Sequence, residues 1–443
     1  MISLTELYQK YKECTGVSTD TRKIEANSIF FALKGPNFDA NAFAEQALEK
    51  GAKYAVVDDA SYVKNQQYLL VEDGLKALQA LANYHRKQLN IPFIGLTGSN
   101  GKTTTKELIN AVLSKKYRTY ATVGNLNNHI GVPLTILAID EKVEIAIIEM
   151  GANKQGDIKE LVEIAEPTHG FITNIGKAHL EGFGGVEGVV KGKGELFDWL
   201  SENHQTVFVN VASTPTLAMT ENRQFKETII YTTDANPNYK TVVSMVSKSP
   251  FVTFEDTAGN LYSSHLTGVY NFQNICAAIR IGQYFGIDLT AACKAVADYV
   301  PNNNRSQFVK RGTNMVLMDA YNANPSSMSA AITYFNELKV DKKMVILGDM
   351  FELGDEAEAE HEAIGKLLAN CKFDYILLAG KLMESAVKEL PVMKVHYFPD
   401  KFGLHNWLQD YPVSNTHILV KGSRGMSLES VLPFLGSTKV VEK

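Results

Sequence analysis

The chain has 443 residues, more than one hydrophobic core usually organises, so two or three domains are expected. Hydrophobic residues make up 45% of the chain and charged residues 21%, which excludes a disordered protein. The 44 basic and 49 acidic residues give a formal net charge of -5, so no nucleic-acid partner is expected.

Cysteine usage and hydropathy predict the compartment. The four cysteines form no C-x-x-C pair, which is typical of reduced thiols. The N-terminus has no basic segment followed by an apolar one, and no apolar run approaches the ~18–20 residues that span a bilayer. We therefore expect a cytoplasmic protein without a membrane span, and a monomer.

Residues 1–88 are predicted to form a small α/β domain. Apolar runs of strand length at residues 28–33 and 54–57 flank a helical pattern over residues 42–50.

A second domain is predicted over residues 89–312. Apolar strands at 92–97, 143–148 and 169–174 alternate with helical patterns, which predicts a parallel sheet. Alternating polarity between residues 241 and 254, with a turn at 258–260, predicts an antiparallel extension of this domain. A helix over about 271–285 and a connector at 301–304 are predicted to follow.

The last domain is predicted over residues 313–443. Three apolar strands, at 344–348, 375–380 and 418–422, each end in glycine and are separated by helical patterns, which predicts a Rossmann-like α/β domain. No G-x-G-x-x-G follows any of these strands, so dinucleotide binding is not indicated.

The strongest functional signal is a glycine-rich loop between a predicted strand and a predicted helix. Its backbone N–H groups can surround phosphate, Lys102 can reach the β- and γ-phosphates, and Thr103 can hold Mg²⁺. The loop departs from G-x-x-x-x-G-K-[ST] because Leu96 occupies the first glycine position. It predicts ATP binding by a P-loop ATPase domain, but does not separate a ligase from a kinase or a switch protein. The predicted contacts are Gly98, Ser99, Asn100, Gly101, Lys102, Thr103 and Thr104.

In the form G-[TS]-x-G-K-T-[TS], with the first glycine absent, this loop resembles that of the Mur ligases. The resemblance extends over essentially the whole chain. Its most discriminating blocks are D-x-Y-N-A-N-P-x-S-M at 319–328 and L-G-D-M-F-E-L-G at 347–354, which resemble the branch that adds D-alanyl-D-alanine. The resemblance implies a UDP-binding N-terminal domain, a central ATPase domain and a C-terminal Rossmann-like domain.

The resemblance also implies an activity. It is the ATP-dependent ligation of D-alanyl-D-alanine to UDP-N-acetylmuramoyl-tripeptide through an acyl phosphate, which yields a pentapeptide precursor of peptidoglycan. Two alternatives stay open. One is another amide ligase of the superfamily, such as a different muramoyl-peptide ligase or a folylpolyglutamate synthase, and the other is a P-loop kinase or switch protein.

Substrate contacts are implied in four blocks, one of which is the segment at 319–328 already described. The segment at 17–22 is similar to the family's UDP module, the segment at 124–135 resembles a loop beside the phosphates and the muramoyl group, and the segment at 421–424 follows a strand and could bind the dipeptide carboxylate. Without the resemblance, the second segment reads as a polar turn. The implied contacts are Ser18, Thr19, Asn125, Asn127, Asn128, Asn322, Asn324 and Arg424.

The nucleotide contacts implied beyond the loop are Asn271, Asn274, Arg305 and Asp319. Asn271 and Asn274 are three residues apart and would share a helix face. Tyr270 stands where the family's G-x-H-N-x-x-N pattern has histidine. For Asp319 the alternative is a helix cap or turn.

Two Mg²⁺ sites are implied, with Thr103, Glu149, His179 and Lys193 as ligands. Glu149 ends an apolar run, where an unpaired carboxylate is costly unless a cation is bound. Lys193 is implied to be carbamylated, with Lys191 as the rival position. Lys102, Lys193, His179 and Arg305 are the implied catalytic residues.

Overall fold

The computed structural model describes residues 1–234, 238–239, 241–301, 305–391 and 394–436. Most of the predicted connector, residues 302–304, and the end of the predicted last domain, residues 437–443, lie outside the described residues. None of the helices in these ranges is long and apolar enough to cross a membrane. The cytoplasmic location and the monomeric state stay predictions.

The N-terminal part contains four parallel strands in the order β1-β2-β5-β6, with a short β3–β4 hairpin beside them. Phe30 and Ala55 on neighbouring strands pack with Ala47 of α2 in a separate small core. The elements are α1 (Leu4–Lys12), β1 (Val17–Ser18), β2 (Ile29–Phe31), β3 (Lys34–Gly35), β4 (Phe38–Asp39), α2 (Ala44–Glu49), β5 (Tyr54–Val57), β6 (Tyr68–Leu70) and α3 (Gly74–Gln88).

The central sheet has six parallel strands in the order β12-β11-β10-β7-β9-β8. A three-stranded antiparallel sheet, β13-β14-β15, extends it. The strands are β7 (Phe93–Thr97), β8 (Thr119–Ala121), β9 (Ile145–Glu149), β10 (His169–Ile172), β11 (Thr206–Asn210), β12 (Glu227–Tyr231), β13 (Val243–Ser247), β14 (Thr253–Asp256) and β15 (Leu261–Ser263).

Helices cover both faces of the central sheet, which is why its strands are continuous apolar runs. Ile145 and Ile147 of β9 belong to the core with α4 and α10, whereas Ala146 and Ile148 belong to the core with α6 and α8. The helices are α4 (Lys102–Leu113), α5 (Gly131–Leu137), α6 (Asp157–Ala165), α7 (Leu180–Phe183), α8 (Val186–Glu202), α9 (Thr214–Ala218), α10 (Val269–Tyr284) and α11 (Leu289–Asp298).

The C-terminal sheet has the order β16-β17-β21-β18-β19-β20, and only β16 is antiparallel to its neighbour. The elements are β16 (Gln307–Arg311), β17 (Asn314–Asp319), α12 (Pro325–Glu337), β18 (Lys343–Gly348), α13 (Ala357–Ala369), β19 (Tyr375–Ala379), α14 (Glu384–Val387), β20 (Val395–Phe398), α15 (Lys401–Asp410) and β21 (His417–Lys421). Several one-turn 3-10 helices lie in the connections.

The predicted three-domain α/β class is confirmed. The three strands predicted from their terminal glycines are β18, β19 and β21. The domain boundaries stay a proposal, but one of them changes. Strand β16 pairs with β17, so we propose that the last domain begins before Gln307 and not at residue 313.

The carboxyl ends of the parallel strands position the candidate site. Loops after β7, β9 and β10 of the central sheet and after β17 of the C-terminal sheet line one common cleft. This is the edge of open α/β sheets at which ligands bind.

Candidate active site

A cleft of about 1460 Å³ separates the central sheet from the C-terminal sheet. The phosphate loop and helix α10 line one wall. The other wall is lined by Arg305 and Ser306 and by several residues between Asp319 and Ser327. Lys76 of helix α3 reaches the cleft from the N-terminal part of the chain. The cleft therefore collects residues from three separate parts of the sequence.

The phosphate loop connects β7 to α4, and two of its positions require glycine. Gly98 has φ +144° and a Cβ there would lie 1.9 Å from Oγ1 of Thr173. Gly101 has φ +79° and a Cβ there would lie 2.8 Å from Oδ1 of Asn274. The backbone between these glycines can therefore turn so that the N–H groups at the start of α4 stay open to an anion.

Asn174, just beyond β10, holds the phosphate loop in shape. The Asn100 N–H donates to Oδ1 of Asn174 at 3.0 Å, and Nδ2 of Asn174 donates back to the Asn100 carbonyl at 3.0 Å. The Thr173 hydroxyl donates to the same carbonyl at 2.6 Å. These bonds preorganise the loop before any ligand binds.

Lys102 lies at the first position of α4 and folds back over the loop. Its Nζ donates to the Gly98 carbonyl at 2.6 Å. Burial lowers the pKa of the Lys102 ammonium to about 8, although the Glu149 carboxylate acts in the opposite direction. An anion in the loop would pair with this cation.

Glu149, the last residue of β9, is a buried carboxylate at the cleft. Its side chain is 1% exposed, and it accepts hydrogen bonds from Oγ1 of Thr103 and from Nδ2 of Asn127, both at 2.8 Å. Among the residues that the structure describes, no basic side chain forms an ion pair with it. A buried carboxylate with only neutral donors is suited to a bound cation.

Lys193 points into the interior from helix α8. It is 1% exposed, and its Nζ donates to the Ala152 carbonyl at 3.2 Å and lies 5.0 Å from the centre of the Phe183 ring. Burial holds the pKa of the Lys193 amine well below its ordinary range. Lys191 is exposed, so the structure separates the two candidate lysines.

His179 lies at the entrance to α7, in the left-handed backbone region with φ 53°. Its Nδ1 contacts the carboxylate of Glu352, which belongs to the loop after β18. The His179 side chain lowers the pKa of that carboxyl below its ordinary value. Helix α7 packs against α8, the helix that carries Lys193.

The start of helix α12 contacts the central domain beside the phosphate loop. Nδ2 of Asn324 donates to Oδ1 of Asn100 at 2.8 Å, and the Lys177 N–H donates to Oγ of Ser326 at 3.1 Å. Lys177 also forms an ion pair with Glu360 of α13. The C-terminal domain is thus held against the phosphate loop.

Asp319 ends strand β17 and is held by two donors. Its Oδ2 lies 2.5 Å from Nζ of Lys421, and its Oδ1 accepts from the Ser306 N–H at 3.1 Å. The Arg305 guanidinium lies 3.7 Å from the centre of the Tyr321 ring. Within the described residues, the buried Nε of Arg305 has no hydrogen-bond partner.

Asn271 and Asn274 share one face of α10, as predicted. Nδ2 of Asn274 donates to Oδ1 of Asn271 at 3.0 Å, and Nδ2 of Asn271 donates to the Thr267 carbonyl at 2.7 Å. Asn274 also lies directly against Gly101. Both asparagines line the cleft beside the phosphate loop.

The structure gathers most of the predicted site residues at the cleft. Gly98, Thr103 and Lys193 contact the lining residues Lys102, Glu149 and Ala152, and Arg424 lies 5.5 Å from the centre of the ring of the lining residue Tyr321. Asn125, Asn127, Asn128, Asn322 and Asn324 line the cleft. Ser18 and Thr19 lie at the end of β1 in the N-terminal sheet, away from the described cleft lining, and the Ser18 hydroxyl donates to the Asp20 carbonyl at 3.1 Å. Arg424 also lies outside that lining, with its Nη1 3.3 Å from Oε1 of Glu429.

Sequence reasoning missed the structural roles of several residues. The sequence predicts Lys421 only as part of a carboxylate-binding segment, whereas in the structure it is 2% exposed and pairs with Asp319. A lysine that ends an apolar strand was the available signal. Ser306 and Glu352 gave no local signal, because their partners are distant in sequence.

Three features define the class of protein as a P-loop enzyme of several domains. They are the phosphate loop between a strand and a helix, the buried carboxylate at the end of the neighbouring strand β9, and a second α/β domain across the cleft. Family patterns agree with this class. The Mur ligase family, catalytic domain matches residues 13–86, the Mur ligase middle domain matches residues 96–282, and the Mur ligase, glutamate ligase domain matches residues 304–424.

Known proteins resemble the chain over nearly its full length. The UDP-N-acetylmuramoyl-tripeptide--D-alanyl-D-alanine ligase of Bacillus subtilis (strain 168) is 39% identical over 94% of this chain and 92% of that protein. The enzyme of the same name from Escherichia coli (strain K12) is 35% identical, with the same coverage. A crystal structure of MurF from Acinetobacter baumannii is 29% identical, covers 98% of this chain and 99% of that one, and has a TM-score of 0.83. The chain belongs to the Mur ligase family.

Proposed function

We propose that the protein joins D-alanyl-D-alanine to UDP-N-acetylmuramoyl-tripeptide and converts ATP to ADP and phosphate. The observation that carries this proposal is the agreement between the cleft and the relatives. Ligases of that name are 39% and 35% identical over 94% of the chain, and the cleft assembles a phosphate loop with a facing domain.

The need for ATP follows from elementary chemistry. A carboxylate does not condense with an amine in water, so it must first be activated, and transfer of the γ-phosphoryl group would form an acyl phosphate. Lys102 and Arg305 carry positive charge on opposite walls of the cleft, where they would stabilise charge on the transferring phosphoryl group. The amine of the dipeptide would then displace phosphate.

The protein residues fit a divalent cation. We propose that Thr103 and Glu149 hold one Mg²⁺ beside the phosphates, because Glu149 is buried without a basic partner in the described part of the chain. Bound Mg²⁺ supplies neutralisation of phosphate charge. In the described ranges no group of three His, Cys, Asp or Glu side chains could hold a metal, so phosphate oxygens and water would supply the remaining ligands.

We propose that Lys193 carries a carbamate and, with His179, holds the second Mg²⁺. Only a neutral amine attacks CO₂, and burial keeps the Lys193 pKa low, which favours that form at neutral pH. The amine donates to the Ala152 carbonyl and forms no ion pair with a carboxylate in the described residues. Exposed Lys191 lacks this environment.

We propose that Asn271, Asn274, Arg305 and Asp319 contact the nucleotide, and that Asn125, Asn127 and Asn128 contact the muramoyl substrate. These side chains line the cleft on both sides of the phosphate loop. The contacts at Asn324 and Lys177 hold the C-terminal domain against the phosphate loop. Further closure of the two domains over the cleft would keep water from the acyl phosphate. Ser18 and Thr19 would bind the UDP group at the N-terminal sheet.

The experiment measures phosphate release from ATP with UDP-N-acetylmuramoyl-tripeptide, with and without D-alanyl-D-alanine. We expect release that requires the dipeptide, together with a product larger by the mass of the dipeptide. Single amino acids, including glutamate, serve as alternative acceptors. Release that requires one of these instead would contradict the proposed acceptor, and release without any acceptor would contradict ligation.

A further inference from the structure

Tyr270 joins the two walls of the cleft. It is the second residue of α10, and its hydroxyl lies 3.0 Å from Oγ of Ser306, the residue before strand β16. Burial raises the pKa of the Tyr270 phenol, so the hydroxyl stays protonated and able to donate. One hydrogen bond therefore connects the central domain to the beginning of the C-terminal sheet.

Ser306 has a backbone conformation that serine rarely adopts. Its φ is 49°, in the left-handed region, and its side chain is 6% exposed. A residue of this kind persists only when surrounding contacts hold it. Two contacts do so here, because the Tyr270 hydroxyl holds the side chain and Oδ1 of Asp319 accepts from the N–H at 3.1 Å.

Ser306 adjoins one proposed nucleotide contact and is hydrogen-bonded to another. Arg305 is one peptide bond away, and its guanidinium stacks on Tyr321 at 3.7 Å with the buried Nε unpartnered among the described residues. The Asp319 carboxylate that accepts from Ser306 is held on its other oxygen by Lys421 at 2.5 Å. Hydrogen bonds thus run from Tyr270 through Ser306 to Asp319.

We propose that Tyr270 is a positioning residue for the nucleotide: its hydroxyl holds Ser306 in the left-handed conformation and thereby orients Arg305 and Asp319. This inference rests on the proposed function, since the nucleotide contacts of Arg305 and Asp319 belong to it. Tyr270 itself need not contact the reacting atoms.

The test is a double-mutant cycle on ATP binding. Tyr270→Phe removes one oxygen, Ser306→Ala removes its partner, and the double variant removes both. Affinity for ATP with MgCl₂ is measured by titration calorimetry without other substrates, and KM for ATP and kcat are measured separately. We expect each single variant to bind ATP about 5- to 20-fold more weakly than the unaltered protein. The KM for ATP should rise by the same factor, and kcat should stay within about twofold of that of the unaltered protein.

The affinity of the double variant for ATP should equal that of the single variant with the lower affinity, because both substitutions remove the same hydrogen bond. Tyr117→Phe is the matched control, since its hydroxyl donates to the Phe285 carbonyl at 2.7 Å outside the described cleft lining. It should bind ATP like the unaltered protein.

Unchanged ATP affinity in Tyr270→Phe would overturn the proposal, as would losses that multiply in the double variant. If Tyr270→Phe does not fold, Ser306→Ala alone decides, and normal ATP affinity in that variant overturns the proposal. The binding measurement contains no acceptor, so a wrong acceptor assignment would alter the turnover assays and leave this test unaffected.

Discussion

Asn324 uses both ends of its amide at the junction of two domains. Its Oδ1 accepts from the Ser327 N–H at 2.9 Å and caps helix α12, while its Nδ2 donates to Oδ1 of Asn100 in the phosphate loop at 2.8 Å. One side chain therefore couples the start of a C-terminal helix to the shape of the loop that would hold ATP.

Two substitutions at Asn324 should separate these roles. Asn324→Ser keeps a capping oxygen but loses the donor to Asn100, so we expect normal thermal stability with kcat/KM for ATP reduced about 5- to 10-fold. Asn324→Ala should also lose about 1 kcal/mol of stability, because the cap is gone. Calorimetry and steady-state kinetics measure both effects. Full activity in Asn324→Ser would show that the contact with Asn100 does not matter.

Replacing Lys193 should stop ligation and leave nucleotide binding intact. We expect Lys193→Ala to lower phosphate release more than ~100-fold, the size typical of a lost group that stabilises the transition state. The carbon-13 spectrum of the protein in labelled bicarbonate should show a carbamate signal that Lys193→Ala lacks. Lys191→Ala is the matched control and should keep both signal and activity, since Lys191 is exposed. Near-normal turnover by Lys193→Ala would rule out the proposed role.

His169 should make the folded protein sensitive to acid. Its ring lies 5.1 Å from that of Phe285, and burial lowers its pKa from 6.5 to about 4, with nearby Lys226 acting in the same direction. Between these two values the unfolded chain binds more protons than the folded one, so the stability contributed by neutral His169 is lost as pH falls from about 6.5 to 4. We expect a contribution of about 1 to 2 kcal/mol to be lost between pH 7 and pH 5.

The check is thermal unfolding at pH 7 and pH 5. His169→Phe, which cannot be protonated, should lose less stability between the two values than the unaltered protein does. Exposed His204 provides the control, because His204→Asn keeps a residue that tolerates the φ of 49° at this position. Equal acid sensitivity in His169→Phe and the unaltered protein would contradict the assignment.

Arg86 should be essential to the packing of α3 against α6. Its side chain is 8% exposed and donates to the carbonyls of Ala165, Leu89 and Glu166 at 2.8, 3.0 and 2.9 Å. Two of these carbonyls end helix α6, where positive charge is favourable.

Arg86→Lys keeps the positive charge, but a lysine ammonium cannot reproduce the hydrogen bonds of the planar guanidinium to all three carbonyls. We expect it to cost about 1 to 3 kcal/mol in urea unfolding, because it leaves buried carbonyls without donors. Lys87→Arg serves as the control at the neighbouring, more exposed position, where Lys87 pairs with Glu166. A stability loss below about 0.5 kcal/mol in Arg86→Lys would show that the carbonyls find other donors.

The fold class and the phosphate loop can be predicted from local sequence patterns alone. Strand and helix periodicities are local, and so is the chemistry of Gly98 to Thr104, in which a strand, a turn and a helix start follow one another directly. The loop therefore formed where it was predicted, between β7 and α4. Asn271 and Asn274 were likewise predictable, because helix geometry places residues three apart on one face.

Contacts between residues that are distant in sequence are visible only in the folded chain. Lys191 and Lys193 are two residues apart on one helix and so point about 200° apart, but only the packing of α8 shows that Lys193 is the buried one. Lys421 pairs with Asp319 across 102 residues, and His179 meets Glu352 across a domain boundary. Such contacts depend on how strands are ordered in a sheet and how domains pack, and no local pattern encodes either.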